Sequence, residues 1–363
     1  MFVALRDLRF ARGRFALMGT VITLITLLVG LLSGLTAGLA RQNISAITGL
    51  PVDHIAFAAP TGGQSPSYAE SAVTRDQWRR WAGAPGVESA QPLGISTTRA
   101  TAGDRSTTVS VFGVRPGSGL APRGARPAGD RVILSTAAAD DLGAHGGTTL
   151  TLGGQRVTVA AVLGDASFSH LPVIWADLDT WQRIAPPLGD GTTDERATVI
   201  ALNTEPGTDL EAVDARADTR TLSREDSLSA IGSYASENGS LQVMRGFLFA
   251  ISALVIGAFF SVWTIQRSGD IAVLKALGAS TGALLRDALG QALILLAGGT
   301  ALGTALAAGI GSAVADSAVP FVLTPATALV PAAVMVALGA LGAGLAVRRI
   351  TSVDPLTALG SAR

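Results

Sequence analysis

The chain has 363 residues, of which 48% are hydrophobic and 15% charged, and its mean hydropathy is +0.44. This composition is too apolar for an ordinary soluble domain and indicates a membrane protein. The formal net charge is zero and the basic residues form no run, which argues against nucleic acid as a partner. Without a cysteine, disulfides, thiolate catalysis and Cys-ligated metal sites are excluded.

Uncharged runs are the first structural signal, because a helix needs about 20 apolar residues to cross the hydrocarbon layer. They cover residues 15–40, 246–266, 288–315 and 317–347. The first run could be a secretory signal peptide, but it is longer than the usual apolar region of one, which has about 7–15 residues. We predict membrane helices at 15–41, 241–266, 283–315 and 324–347, with an outer turn at 316–323.

Basic residues close to the ends of these helices predict their orientation, since they favour the cytoplasmic side. They lie in segment 1–14, in the loop 267–282 and in the tail 348–363. We therefore expect a cytoplasmic amphipathic segment at 1–14, cytoplasmic termini, and an extracytoplasmic domain at 42–240. The expected location is the plasma membrane of a bacterium, with membrane lipid around the four helices.

Small residues recur at every fourth position of the first and third membrane helices. They are Gly30, Gly34 and Gly38, and then Gly299, Gly303, Ala307 and Gly311. This spacing allows helix backbones to approach closely, either within one chain or between two copies. No charged residue lies inside the four runs, which argues against a proton relay.

Residues 51–221 have the composition of a soluble α+β domain. Strands are predicted at 108–114, 131–134, 149–152, 156–163 and 197–202, and helices at 74–82, 137–142 and 178–184. Gly153 and Gly154 predict a hairpin turn. Residues 41–48 and 226–244 can extend the first two membrane helices outward. The three histidines, His54, His145 and His170, have no metal-binding spacing.

The loop after the second membrane helix reads QRSGDIAVLKALGAS from residue 266 to 280. It predicts a short amphipathic helix, with Ile271 and Leu274 on its apolar side and Asp270 and Lys275 as polar groups. Gly278 ends this helix, and Ser280 caps the next one. From physical chemistry alone, the helix could also lie on the lipid surface.

This loop is similar to the coupling helix of the FtsX/MacB-type ABC permeases. The tail RITSVDPLTAL at 349–359 resembles their C-terminal signature, and residues 142–164 resemble their outer-domain core. The resemblance covers the whole chain. It implies a membrane α+β fold of four transmembrane helices, with a large extracytoplasmic α+β domain between helices 1 and 2.

Four stretches, at 33–45, 231–239, 258–266 and 320–324, are closer to the permeases of Gram-positive haem exporters. The resemblance implies a homodimer that binds two copies of a cytoplasmic ABC ATPase and exports haem as its cargo. The permease itself would be non-catalytic and hold no cofactor of its own, because ATP and Mg would bind to the ATPase. The sequence agrees, because the lysine of a P-loop, GxxxxGK[ST], follows a glycine, whereas Lys275, the only lysine here, follows Leu274. The sequence given therefore contains no P-loop. The residues implied to contact the ATPase are Asp270, Ile271, Leu274, Lys275 and Gly278.

Haem is a flat apolar ring with two propionates and an iron that takes one or two axial ligands. Candidate groups cluster near the outer ends of the first two membrane helices, and they are Arg41, Gln42, Tyr234, Glu237, Gln242, Met244 and Arg245. Tyr234, Glu237 or Met244 could ligate iron, which would be the only metal bound, and Arg41 or Arg245 could pair with propionates. Alternatively, the arginines are interface anchors, Tyr234 belongs to the aromatic belt and Met244 is a packing residue.

Two alternatives to haem export stay open at the level of sequence. One is an FtsX-like mechanotransmitter that regulates a cell-wall hydrolase, and the other is an exporter of a peptide, lipid or lipoprotein. All three share the same membrane architecture and a separate ATPase.

Overall fold

The computed structural model describes residues 12–185, 195–266, 269, 273, 277–314 and 319–351. The chain divides into two compact units, which we call the outer domain (Leu39–Gly239) and the membrane unit (Met1–Gly38 with Ser240–Arg363). The predicted fold class is confirmed: an α+β domain lies between the first two of four helices that are long and apolar enough to cross a membrane.

The long helices are α1 (Arg12–Thr48), α6 (Gly232–Gln266), α7 (Thr281–Val314) and α8 (Pro325–Thr351). The short helices of the outer domain are α2 (Arg75–Ala82), α3 (Thr136–Leu142), α4 (Leu178–Ile184) and α5 (Leu210–Ala217). The strands are β1 (His54–Ala58), β2 (Val73–Thr74), β3 (Val87–Ala102), β4 (Arg105–Val114), β5 (Arg131–Leu134), β6 (Thr149–Leu152), β7 (Gln155–Val162), β8 (Ser167–Phe168), β9 (Leu171–Asp177), β10 (Arg196–Ala197), β11 (Val199–Thr204) and β12 (Thr219–Ser223).

The outer domain is built on one large mixed sheet with the order β12-β1-β11-β3-β4-β9-β5-β7-β6, and β8 pairs with β9. The end of β3 also pairs with β6 through Ala100 and Leu152, so this part of the sheet closes on itself. The predicted hairpin turn at Gly153 and Gly154 is confirmed, because β6 and β7 pair directly across it. Both glycines have positive φ, 54° and 84°, which suits a two-residue hairpin turn.

Both faces of this sheet are buried, because alternate residues of each strand enter different hydrophobic layers. One layer, which we call the helix layer, lies against α2 to α5 and contains Trp78, Trp81 and Trp181. We call the opposite one the aromatic layer, and it contains Phe57, Tyr68, Phe112, Phe168 and Trp175.

The rings of the aromatic layer form a continuous series of edge contacts. Centroid distances are 4.8 Å from Phe57 to Tyr68, 5.5 Å from Tyr68 to Phe168, 5.6 Å from Phe168 to Phe112 and 4.9 Å from Phe112 to Trp175. Edge-to-face pairs of this kind are favourable and fix ring orientation. Strand β8 is therefore held firmly through Phe168.

The second outward extension is shorter than predicted. Residues Asp226–Ala230 form a 3-10 turn, and Ile231 is extended, so that α6 begins at Gly232. The first extension is a direct continuation of α1 to Thr48. We call residues 41–48 the first stalk and residues 232–239 the second stalk; both belong to the outer domain.

The membrane unit uses the recurrent small residues for contacts within the chain. A Cβ added to Gly30 would lie 2.8 Å from the Cβ of Ala307, and one added to Gly303 would lie 2.6 Å from the Thr23 carbonyl oxygen. Helices α1 and α7 therefore approach closely, as small residues permit. These contacts lie within one chain, which was one of the two alternatives that the sequence left open.

Segment 319–324, which we call the outer strap, also depends on these glycines. The Phe321 ring occupies the space that a side chain on Gly34 or Gly311 would need, and the Pro320 carbonyl oxygen does the same at Gly38. The Val322 amide donates to the Gly34 carbonyl oxygen at 3.0 Å. After the strap, Thr324 caps α8 by accepting from the Thr327 amide at 3.1 Å.

Candidate functional site

A two-residue turn joins β8 to β9 and brings polar side chains to the stalks. Its residues, Ser169 and His170, both have positive φ, 51° and 64°. Hairpin turns with positive φ at both residues usually contain Asn and Gly. Ser and His in these positions therefore carry backbone strain. The turn is held on the first stalk, because the Ser169 amide donates to the Asn43 carbonyl oxygen at 2.9 Å and the His170 amide to that of Gln42 at 3.2 Å.

Side chains from the turn and from both stalks meet in what we call the stalk cluster: Asn43, Ser169, His170, Ser233 and Glu237. His170 Nε2 lies 2.8 Å and 3.0 Å from the two carboxylate oxygens of Glu237. The Asn43 side chain is fully buried; its amide nitrogen donates to Glu237 at 3.4 Å, and its oxygen accepts from Ser233 at 3.0 Å. Ser169 and Ser233 share a hydrogen bond of 3.1 Å.

The neighbours of His170 determine which of its ring nitrogens donates. Carboxylate oxygens only accept, so His170 Nε2 carries the proton and donates to Glu237. The Asn43 amide nitrogen, 3.1 Å from the same Nε2, is then directed at the carboxylate. The His170 and Glu237 side chains are 29% and 44% exposed, so the pair is accessible from solvent.

The predicted residues of the first stalk have partners of a different kind. Arg41 forms an ion pair with Asp165, and both side chains are more than half exposed. Exposed pairs of this kind contribute roughly 0–1 kcal/mol, so Arg41 can exchange Asp165 for another anion at small cost. Gln42 is exposed on the same stalk, with only its backbone engaged by His170.

Tyr234, on the second stalk, is half-buried at the edge of the aromatic layer. The remaining predicted residues belong to the membrane unit and lie on α6. Of these, Gln242 and Met244 are exposed, whereas Arg245 is partly buried. The structure thus brings Glu237 into a hydrogen-bonded cluster, places Tyr234 against an apolar layer and leaves Gln242 and Met244 exposed.

The predicted coupling helix falls largely on positions that the structure does not describe: Asp270, Ile271, Leu274 and Lys275 lie outside the described residues. Gly278 is described, and its φ of 93° is one that favours glycine. The Leu277 amide donates to the Val273 carbonyl oxygen at 3.0 Å, so a helical turn ends here. Ser280 then caps α7, accepting from the Ala283 amide at 3.3 Å, as predicted.

Sequence reasoning missed three members of the stalk cluster and the partner of Arg41. Asn43, Ser169 and Ser233 were not singled out. His170 was considered as one of three histidines without metal-binding spacing, and as the next candidate for haem binding after the stalk residues. A Ser-His pair between two short β-rich runs is a weak hairpin signal. Nothing in sequence places it beside residues that are more than 60 positions away.

Among the described residues, no group of three or more His, Asp or Glu side chains is arranged to hold a metal ion. His145 is exposed and contacts Thr148 Oγ1 at 3.2 Å, while His54 lies 3.3 Å from Thr204 Oγ1. Each of these two histidines thus contacts a nearby threonine hydroxyl.

Comparison with known families gives matches along nearly the whole chain. Residues 17–220 match the family described as MacB-like periplasmic core domain, and residues 243–355 match the family described as FtsX-like permease C-terminal. The first match alone covers more than half of the chain. Both descriptions agree with the architecture of an outer domain between membrane helices.

Relatives that align over the full length share about a quarter of their residues with this chain. A putative hemin transport system permease protein HrtB of Staphylococcus haemolyticus is 25% identical over 365 residues, with 99% of each chain covered. HrtB of Staphylococcus epidermidis is 23% identical over 363 residues, again with 99% of each chain covered. An uncharacterized ABC transporter permease of Mycobacterium tuberculosis is 24% identical over 373 residues, also with 99% coverage of both chains.

Two solved structures are similar to about half of this chain. The extracellular domain of the noncanonic ABC-type transporter YknZ from Gram-positive bacteria has 16% identity and a TM-score of 0.35, covering 47% of this chain and 99% of that one. The periplasmic region of MacB from Actinobacillus actinomycetemcomitans has 12% identity and a TM-score of 0.37, covering 50% of this chain and 94% of that one.

Proposed function

We propose that this chain, which belongs to the FtsX/MacB-type family of ABC transporter permeases, is the membrane subunit of a pump that exports haem. The observation that carries the proposal is the similarity to HrtB permeases over 99% of both chains. This similarity includes the membrane helices, the stalks and the outer domain together. The position of Tyr234 and Glu237 on the second stalk supports it, since both side chains can ligate iron.

The proposed assembly is a homodimer bound to two copies of a cytoplasmic, HrtA-like ATPase, which holds ATP and Mg. The loop around Gly278 would contact that ATPase and transmit its closure to α6 and α7. The conformation of Gly278 supports a defined end to the coupling helix, since its φ of 93° strains any other residue.

A coupling test follows from this assignment. Replacing Asp270 and Lys275 together by alanine should uncouple ATP hydrolysis from transport while leaving membrane insertion intact. Gly278→Leu should have a similar effect, and Gly282→Leu is its control, because an added Cβ there meets no atom within 4 Å in the described structure. Full export by both the double alanine variant and Gly278→Leu would remove the coupling assignment.

Orientation is part of the same proposal, with both termini and the coupling loop in the cytoplasm. The chain contains no cysteine, so single cysteines can be introduced directly. A cysteine at Ser280 should react with an impermeant maleimide only in inside-out vesicles, and one at Gly63 only in whole cells. The reverse pattern would overturn the arrangement.

In the proposed haem site, Tyr234, Glu237 and Met244 are the candidate axial ligands, and Arg41 and Arg245 the partners of the propionates. Gln42 and Gln242 supply further hydrogen bonds. The Arg41–Asp165 pair supports this division of roles, because a haem propionate is also a carboxylate and can take the place of Asp165 beside Arg41.

The experiment is a titration of the purified permease–ATPase complex with haem, followed by the Soret band and by ATPase rate. Tyr234→Phe, Glu237→Ala or Met244→Ala should shift the Soret band, because loss of an axial ligand changes the iron's electronic state. Arg41→Ala and Arg245→Ala should lower affinity and leave the band in place. Glu211→Ala and Arg99→Ala, two exposed positions of the outer domain, serve as controls.

Export of another cargo is the second candidate, because an uncharacterized mycobacterial permease whose name specifies no cargo is as similar to this chain as the HrtB proteins are. A complex that binds no haem and whose ATPase ignores haem would support it, or an FtsX-like mechanical role, over haem export.

A further inference from the structure

The turn at Ser169 and His170 is built to hold one side chain in place. Its strained backbone persists because Phe168, directly before it, is locked between Tyr68 and Phe112, and because both turn amides donate to the first stalk. Strain of this kind is characteristic of functional positions, where the surrounding structure fixes an otherwise unfavourable conformation.

The side chain that the turn holds is the imidazole of His170. Its Nε2 donates to the Glu237 carboxylate, whose two oxygens lie 3.0 Å and 2.8 Å away. Glu237 is also the acceptor of the buried Asn43 amide. An exposed carboxylate on a helix has many rotamers, but here two donors on other segments restrict it to one orientation.

We infer that His170 is a positioning residue for the proposed haem site, which holds the Glu237 carboxylate and keeps its bond to the iron of haem weak. The inference rests on the proposed function and concerns one residue that the site did not include. It assigns a direction: His170 opposes iron coordination and favours release of the cargo.

Two physical effects act in this direction. If Glu237 must turn away from His170 to reach iron, the charge-assisted hydrogen bond is lost on binding. If one carboxylate oxygen keeps the bond and the other reaches iron, the charge-assisted hydrogen bond from the imidazole stabilises the negative charge of Glu237 and leaves less of it to donate to iron. In both cases, iron coordination by Glu237 is stronger without the imidazole.

A pump has reason to keep such a restraint. A ligand that binds the iron tightly would capture haem but delay its release at the end of each transport cycle. His170 recovers the carboxylate when haem leaves, so that the site returns to the arrangement seen in this structure.

The test measures haem dissociation from the full permease–ATPase complex into excess apomyoglobin. His170→Gly removes the imidazole and suits the positive φ, so the turn is preserved. Dissociation should slow about threefold to tenfold, the range expected when a competing hydrogen bond is removed. His170→Asn also tolerates positive φ and is too short to hold the carboxylate, so it should show the same slowing.

Two comparisons separate positioning from a merely structural role. His145→Gly, in an exposed turn of the same domain, should leave the dissociation rate unchanged. In a Glu237→Gln background, His170→Gly should change the rate less than about twofold, because the two residues act together.

The outcomes distinguish this inference from the proposed function. If Glu237→Gln alters the Soret band but the His170 variants release haem at the parental rate or faster, the inference is wrong and the haem site stands. An effect of His170→Gly that persists without Glu237 also overturns it. If the parental complex binds no haem, the proposed function itself fails.

Discussion

The outer domain and the membrane unit reach close packing by opposite means. In the outer domain, large side chains fill the space on both faces of the sheet, and Trp78, Trp81, Phe57 and Phe112 are almost completely buried. In the membrane unit, glycines remove side chains so that helices and the outer strap can touch. Water drives large apolar groups together, whereas lipid does not, so membrane helices depend on close approach.

Two glycines of the outer domain show how the same residue type serves its packing. In the outer domain, Gly94 of β3 and Gly113 of β4 also lack side chains, and the Trp181 indole occupies the space above both. Here, the glycines make room for a large ring, while in the membrane unit they mostly make room for backbone or a single Phe. Substitutions at these positions can therefore test the comparison.

The largest effect is expected for Trp181→Ala. Trp181 is 4% exposed, and its removal leaves a cavity above Gly94 and Gly113 that backbone cannot fill. We expect the free energy of unfolding of the outer domain to fall by about 3–5 kcal/mol. Urea titration of the purified full-length chain measures it. Asp179→Ala, an exposed change on the same helix, should stay within about 0.5 kcal/mol of the parent.

Much of the architecture was predictable because local signals are strong. The strands at 131–134 and 149–152 and the helix at 178–184 coincide with the observed β5, β6 and α4. Hydrophobic periodicity, a Gly-Gly turn and the long apolar runs all depend on residues that are neighbours in sequence. The capping role of Ser280 and the start of α8 close to Thr324 are local in the same way.

The rest depends on contacts between distant residues. Strand β3 was not predicted, because its sequence, VESAQPLGISTTRATA, lacks regular alternation and is stabilised by pairing with β4, β11 and β6. Asn43 and His170 are 127 positions apart, so only the fold brings them together. Likewise, glycine spacing alone could not decide between contacts within the chain and contacts between two copies.

The second prediction tests the glycine contacts of the membrane unit with Gly38→Ala. The new methyl group would overlap the Pro320 carbonyl oxygen, which is backbone and cannot rotate away. We expect a loss of about 1–3 kcal/mol, as for overpacking elsewhere, measured as a lower midpoint of thermal unfolding in detergent.

Gly19→Ala is the matched control on the same helix, since a Cβ there meets no atom of the described chain within 4 Å outside that helix. Alanine is the better helix former by about 1 kcal/mol, so this variant should be neutral or more stable. If both variants behave alike, the outer strap does not depend on the absence of a side chain at Gly38, and the contrast between the two units loses its basis.

The smallest effect concerns Tyr68, the polar member of the aromatic layer. Its hydroxyl donates to Ser227 Oγ at 3.0 Å, and Ser227 in turn donates to the Arg224 carbonyl oxygen at 2.7 Å. Tyr68→Phe removes this hydrogen bond and should cost about 1 kcal/mol at pH 7. Both tyrosines of the chain lie in the outer domain, so an effect of phenol ionisation can be assigned to that domain.

The same variant has a pH dependence whose sign follows from burial, which raises the pKa of the Tyr68 phenol above its ordinary value. The unfolded chain therefore loses this proton first, and the stability that Tyr68 contributes is fully present below about pH 10 and falls as the pH rises further. Tyr68→Phe lacks this loss, so the difference in unfolding free energy between parent and variant should narrow as the pH rises above about 10 in urea titrations. Phe168→Leu, which changes packing in the same layer without removing a titrating group, should keep a constant gap. A Tyr68→Phe gap that is equally constant would mean that the phenol ionises without cost inside the layer, and that the outer domain is not closed to water as its packing indicates.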